Sequence, residues 1–90
     1  MPVIRLMAGY GAFPLWGPDG MIAPDELAPA PPLVARLERW ADRHDRELGP
    51  GFEWSSEEAR LAFIAEGRQL LALLRRELGD SFDITFVDHY

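Results

Sequence analysis

The side chains of this sequence that could transfer protons or bind a metal are two histidines and fifteen Asp and Glu carboxylates. His44 follows Asp42 by two residues and directly precedes Asp45, an arrangement that suits a general base oriented by a carboxylate. A histidine on the apolar side of a helix is more often a hydrogen-bonded part of the core, and we favour that interpretation. His89 is penultimate, and the zinc-site spacings HxxxH and HExxH do not occur. We therefore predict no metal site and no catalytic residue.

A glycine-containing turn, Gly9-Tyr10-Gly11, follows the first apolar run, as a phosphate-binding loop would. Pro14 stands where that motif has its third glycine, and the chain has no lysine for a Walker motif. These glycines are therefore interpreted as hinge or tight-turn residues, and no cofactor is predicted.

The composition excludes several classes of function. Nine arginines against 15 acidic residues give a net charge of −6, which disfavours binding to nucleic acid or to an anionic membrane. Cysteine is absent, so disulfides, thiolate catalysis and cysteine-zinc sites are excluded. Neither a membrane span nor a signal peptide is evident, and we expect a cytoplasmic protein. The 90 residues fit a single domain, 1–90.

The segment after the first apolar run combines aromatic residues with most of the prolines and half of the glycines of the chain. We expect a long loop, with two interpretations open: a lid over a small core, or a recognition surface. The residues that would bind a partner in the second case are Tyr10, Phe13, Trp16 and Asp19. As an alternative, a pocket under the 9–28 loop that uses Tyr10, Asp19 and His44 could bind a small ligand or catalyse a reaction.

Four regular elements must position these residues. Residues 3–7 predict a strand with Ile4 and Leu6 on one face and Val3, Arg5 and Met7 on the other. Residues 81–90 predict a second strand, in which Phe82, Ile84 and Phe86 alternate with more polar residues.

Two helices lie between these strands. The first, from about Pro32 to Leu48, has an apolar stripe formed by Leu33, Leu37, Trp40, Ala41, His44 and Leu48. The second begins at Ser55 with a capping box to Glu58, and its stripe includes Gly67, which close approach of the first helix's backbone would explain. The fold class is α+β, in the order β-α-α-β, with the terminal strands expected to pair antiparallel on an antiparallel helical hairpin.

The opening Ile4 to Trp16, with its pattern R-L-M-x-x-Y-G-x-x-P-L-W, resembles a family of small acidic proteins from GC-rich bacteria. The pairing of Leu37 to Asp42 with Glu66 to Leu70 is similar to that family as well. The resemblance covers nearly the whole chain. It implies no activity and no catalytic residue, because none is established for the family.

We predict a non-enzymatic, acidic protein-interaction domain. The chain has aromatic residues in its loop, unpaired edges on its small predicted sheet and no cluster of side chains suited to catalysis. The most specific form of this hypothesis is an immunity-like or regulatory inhibitor that binds a basic partner and blocks its surface. A third possibility is a homodimeric accessory protein with a self-complementary aromatic surface.

Overall fold

A mixed four-stranded sheet and two helices form the part of the chain that the computed structural model describes, residues 3–9, 13–22, 30–47 and 53–87. In chain order the elements are β1 (Val3–Leu6), β2 (Leu15–Gly17), β3 (Gly20–Met21), α1 (Pro31–Glu47), α2 (Glu57–Leu78) and β4 (Asp83–Phe86). The order of the strands across the sheet is β3-β2-β1-β4. The fold class is therefore α+β, with both helices between the first and last strands, as predicted.

The pairing of the terminal strands differs from the prediction. β1 and β4 run parallel, with Ile4 opposite Ile84 and Leu6 opposite Phe86, so the expected antiparallel pairing is wrong. That expectation assumed that the two helices between the strands reverse the direction of the chain twice. However, residues 22–30 separate β3 from α1, and nine residues can span about 30 Å, enough to reach either end of a short strand. The helices provide the long crossover that parallel neighbouring strands require.

The segment predicted as an irregular loop contains a β-hairpin. β2 pairs antiparallel with β1 and with β3, and Pro18 and Asp19 form the turn between β2 and β3. Gly20 follows with a φ of +117°, a conformation that glycine adopts without steric cost. Pro14 and Pro18 flank β2 but do not enter it, so the proline density limits this strand to three residues without preventing it.

One face of the sheet packs against the helices and forms the core. The strands contribute Ile4, Leu6, Leu15 and Ile84, and the helices contribute Leu33, Leu37, Trp40, Phe63, Leu70 and Leu74. The predicted stripe of α1 is confirmed as far as residue 47, since its buried residues are Leu33, Leu37, Trp40, Ala41 and His44. In α2 the buried residues are Phe63, Ile64, Gly67, Leu70 and Leu74, so Gly67 lies on the buried side as predicted.

Gly67 lies where α2 passes the aromatic side chains of the core. A Cβ atom at this position would lie 2.5 Å from Phe86 Cζ and 2.9 Å from Trp40 Cζ2. The Trp40 ring stacks on Phe63 with 4.4 Å between centroids, and its Nε1–H donates to the Phe63 carbonyl at 3.0 Å. The space beside Gly67 is thus filled by two ring edges, which corrects the expectation that the backbone of α1 fills it.

Polar contacts at both ends hold the helices antiparallel. The Ala30 backbone N–H, just before α1, donates to the Glu77 carboxylate near the end of α2 at 3.0 Å. At the other end, the Ser55 hydroxyl donates to the Glu47 carboxylate at 3.2 Å. The N-cap of α2 is Ser56 and not Ser55, so the helix begins one residue later than predicted. Both serines suit a cap, and the bond to Glu47 holds Ser55 in a tertiary role instead.

Candidate interaction surface

The predicted partner-binding residues do not share one environment. Tyr10 lies outside the described residues. Phe13 is half-buried and packs against the core, as a lid residue would. Asp19 is exposed at the turn of the hairpin, and Trp16 is half-buried on β2. The structure therefore places Phe13 in a structural position, and it leaves Trp16 and Asp19 accessible.

The Trp16 side chain is fixed against the end of β1. Its indole Nε1–H donates to the Met7 carbonyl at 2.8 Å. The same ring lies close to Gly9, where a Cβ atom would be 3.3 Å from Trp16 Cζ2. Because the hydrogen bond satisfies the only polar atom of the indole, the accessible remainder of the ring is apolar. Trp16 is thus a partly exposed aromatic side chain in a defined position.

The sheet has a second face, opposite the helices, which we call the open face. Arg5 pairs with Trp16 on one side and with Thr85 on the other, and Trp16 pairs with Met21. Residues directly opposite each other point to the same side of a sheet, and Ile4 and Leu6 point to the core. The open face consists of Val3, Arg5, Trp16, Met21, Asp83 and Thr85. Sequence reasoning placed Val3 and Arg5 on this side by alternation, but did not treat them as site residues.

Arg5 lies near the middle of the open face. It is exposed, and its cross-strand neighbours are the aromatic Trp16 and the small polar Thr85. The ion pairs formed within the described residues join Arg43 to Glu47, His44 to Asp45 and Arg60 to Glu57, and none involves Arg5. Within the described residues, the guanidinium of Arg5 is therefore a charged group that is available to a partner.

The edges of the sheet offer less than the sequence suggests. Val87 N–H donates to the Leu6 carbonyl, and hydrogen-bonding groups alternate sides along a strand, so the Ile84 carbonyl points away from β1. That carbonyl accepts a hydrogen bond from Arg75 Nε at 3.0 Å. The opposite edge strand, β3, is only two residues long. An occupied carbonyl and a very short strand are both features that discourage strand addition.

His44 is buried between the helices. Its ring centroid lies 5.8 Å from that of Phe63 and 6.1 Å from that of Trp54. Its Nδ1 atom is 3.1 Å from the Asp45 carboxylate. Asp19 is exposed in the hairpin turn, and no hydrogen bond or ion pair joins it to His44. These surroundings are those of a core histidine, and Tyr10, the third residue of the enzymatic alternative, lies outside the described residues.

Negative charge is concentrated at one end of the helix pair. Residues 42–58, which include the end of α1 and the start of α2, contain six acidic residues and two arginines. Arg43 pairs with Glu47 at 3.5 Å within this stretch, and the acidic residues exceed the arginines there by four. The acidic end of the helices is therefore distinct from the open face, where Arg5 and Asp83 balance in charge.

One exposed ion pair lies in the first turn of α2. Arg60 Nε donates to Glu57 Oε2 at 3.0 Å, and a second guanidinium N–H donates to the other carboxylate oxygen. The hydrogen bond from Arg60, together with its charge, holds the pKa of the Glu57 carboxyl below its usual range. Because both groups face solvent, the pair contributes little to stability.

Neither a metal-binding cluster nor a membrane-spanning helix occurs within the described residues. Within the ranges given above, no group of three or more His, Asp and Glu side chains could hold a metal ion. Among the helices in those ranges, neither is long and apolar enough to cross a membrane.

A family model with the description "Serratia CdiI immunity protein-like" matches residues 2–89 of the chain. No individual curated protein matches it significantly. The family match includes β1 to β4 and both helices, and so it extends over the open face as well as the acidic end.

Proposed function

Because the chain belongs to the Serratia CdiI immunity protein-like family, we propose that it is an immunity protein, which binds a toxin and inhibits it without catalysis. The observation that carries this proposal is the match over residues 2–89. The surroundings of His44 support a non-enzymatic role, since this histidine is buried at 6% exposure among aromatic rings.

We further propose that the toxin is basic. The chain carries a net charge of −6, and residues 42–58 concentrate six acidic side chains at one end of the helix pair. Charge of one sign over a surface attracts a partner of opposite sign and increases the association rate. Salt weakens this long-range attraction, because the screening length falls to about 10 Å at 0.1 M ionic strength.

The proposal is tested by capturing the partner with the immobilised chain from a lysate of its own host, at low and at high salt. One stoichiometric basic protein, retained at low salt and released at high salt, is the expected result. Its purified form should bind the chain in calorimetry with a dissociation constant that rises steeply with salt. If no protein is captured at either salt concentration, the immunity function is wrong.

A pair of alanine variants shows whether the binding is specific. Trp16→Ala removes the partly exposed ring and should weaken binding, whereas Leu61→Ala should not. Leu61 is a suitable control because it is 53% exposed on α2, away from the sheet. Circular dichroism checks that both variants fold. Equal binding of both would contradict the role of Trp16. Light scattering of the chain alone distinguishes the homodimer alternative, in which the open face would join two copies.

A further inference from the structure

The open face has the composition of a protein-protein interface. It is therefore the candidate for the surface where the toxin of the proposed function binds. Three large hydrophobic side chains of the described residues are markedly exposed: Val3 at 45%, Met21 at 49% and Leu61 at 53%. Two of these three lie on the open face, with the Trp16 ring beside Met21. Aromatic residues, methionine and arginine are the types enriched at interfaces, and this face presents all three.

The face is also organised before any partner binds. Trp16 is held by its hydrogen bond to the Met7 carbonyl at 2.8 Å and by contact with Gly9. Arg5 projects from β1, which pairs with β2 on one side and β4 on the other, so its backbone is fixed. Binding to fixed side chains loses less conformational entropy than binding to a mobile loop.

Asp83 balances the charge of the face as a whole, and the Arg5 guanidinium near its middle indicates which group of a partner can bind there. Arg5 is exposed and, within the described part of the chain, has no ion pair. Val3 and Trp16 are its apolar neighbours on β1 and β2. A carboxylate that docks here would form charge-assisted hydrogen bonds with the guanidinium, which are strengthened when surrounding apolar groups exclude water. Net charge acts on the approach of the partner, whereas Arg5 acts at contact.

A second copy of the chain fits this face poorly. In a two-fold symmetric dimer, residues near the middle of the contact meet their own copies. Arg5 lies on one of the two central strands of the sheet, so it would approach Arg5 of the other copy, and like charges in contact are destabilising. Nucleic acid is disfavoured as well, because the net charge is −6.

We propose that the open face is the toxin-binding surface and that Arg5 is its specificity-determining contact, which receives a carboxylate surrounded by apolar side chains of the toxin. This inference rests on the proposed immunity function. It places the binding contact on the sheet and not at the acidic end of the helices.

The test compares three forms of the full chain: wild type, Arg5→Glu and Arg39→Glu. Arg39 is a matched control, since it is an exposed arginine on α1 that forms no ion pair within the described ranges. The probe is the protein that the immobilised wild-type chain captures from host lysate, purified and titrated against each form. We expect Arg5→Glu to weaken binding at least tenfold, as about 1.4 kcal/mol would, and Arg39→Glu to change it less than threefold.

Arg5→Gln removes the charge without reversing it and keeps a polar side chain on β1. It should also weaken binding, and it replaces Arg5→Glu as the test if Glu disturbs β1. Thermal unfolding of each variant confirms that it folds. If all forms bind the captured protein equally, the open face is not the binding surface, although the immunity function stands. If the wild type captures nothing, the immunity function fails and this assignment with it. If sedimentation shows a dimer of the wild type that Arg5→Glu disrupts, a second copy occupies the face and the proposal is overturned.

Discussion

Replacing Gly67 by alanine tests whether the aromatic side chains between α2 and β4 are as tightly packed as the structure indicates. Alanine has the higher helix propensity, so on an exposed part of a helix this change would stabilise the protein by about 1 kcal/mol. At position 67, however, the new Cβ atom would lie 2.5 Å from Phe86 Cζ and 2.9 Å from Trp40 Cζ2. Forcing an extra methyl group into a packed core costs about 1–3 kcal/mol.

The Trp40 ring has little room to move. Trp40 is completely buried, stacks on Phe63 and donates a hydrogen bond to the Phe63 carbonyl. The Phe86 ring lies 6.1 Å from that of Trp40 and faces the same gap. We therefore expect the upper part of the packing cost, which leaves Gly67→Ala less stable than the wild type by about 1–2 kcal/mol. For a domain of this size the melting temperature would fall by roughly 4–16 °C.

The assay is thermal and urea unfolding followed by circular dichroism. Ala72→Gly is the matched control: it makes the reverse change on the exposed side of the same helix, and should lose about 1 kcal/mol through propensity alone. In a Phe86→Leu background, which removes the nearer of the two rings beside the new methyl group, Gly67→Ala should be less destabilising than in the wild type. If Gly67→Ala by itself raises stability by as much as Ala72→Gly lowers it, the rings move aside freely and the packing argument is refuted.

Three further changes have defined outcomes. Glu77→Gln weakens the acceptor for the Ala30 N–H that precedes α1. Urea titrations should show an unfolding free energy lower by about 0.5–1.5 kcal/mol. An unchanged midpoint would show that water replaces the carboxylate. Arg75→Ala frees the outward Ile84 carbonyl, so light scattering should detect more self-association than in the wild type. An unchanged molecular mass would show that the edge needs no protection. Arg60→Ala should raise the pKa of Glu57, measured by NMR titration, because the hydrogen bond that lowers it is lost. Since a lowered pKa stabilises the folded state only while the carboxylate is ionised, this small contribution is present near neutral pH and is lost on acidification through that pKa. A Glu57 titration that does not respond to Arg60→Ala would contradict the assigned cause.

Much of the fold could be predicted because the long elements have clear periodicity. The stripe of α1 from Leu33 to His44 matches its buried residues, since seventeen residues give several turns of a 3.6-residue pattern. The inward positions Ile4 and Leu6 were also predicted, because one buried face gives simple alternation. The β2–β3 hairpin was not predicted, because strands of three and two residues are too short to show an alternating pattern.

The candidate site depends on the features that the sequence does not show. Alternation placed Arg5 opposite the core, but only the pairing of β1 with β2 brings Trp16 beside it. That register depends on the β2–β3 hairpin. Long-range contacts stabilise this hairpin, and the β-propensity of its residues does not predict it. The parallel position of β4 brings Thr85 to the other side of Arg5, whereas the sequence favoured an antiparallel pair. The open face is therefore a result of tertiary structure, assembled from four short strands.

The immunity function is tested most directly by protection in living cells. The captured partner is expressed from an inducible promoter in a bacterial host, alone or together with the wild-type chain or the Arg5→Glu variant. We predict that the partner alone stops growth, that the wild-type chain restores it, and that Arg5→Glu restores it less at equal protein levels. A partner that does not impair growth, or whose toxicity the wild-type chain does not relieve, would contradict the assignment of this chain as an immunity protein.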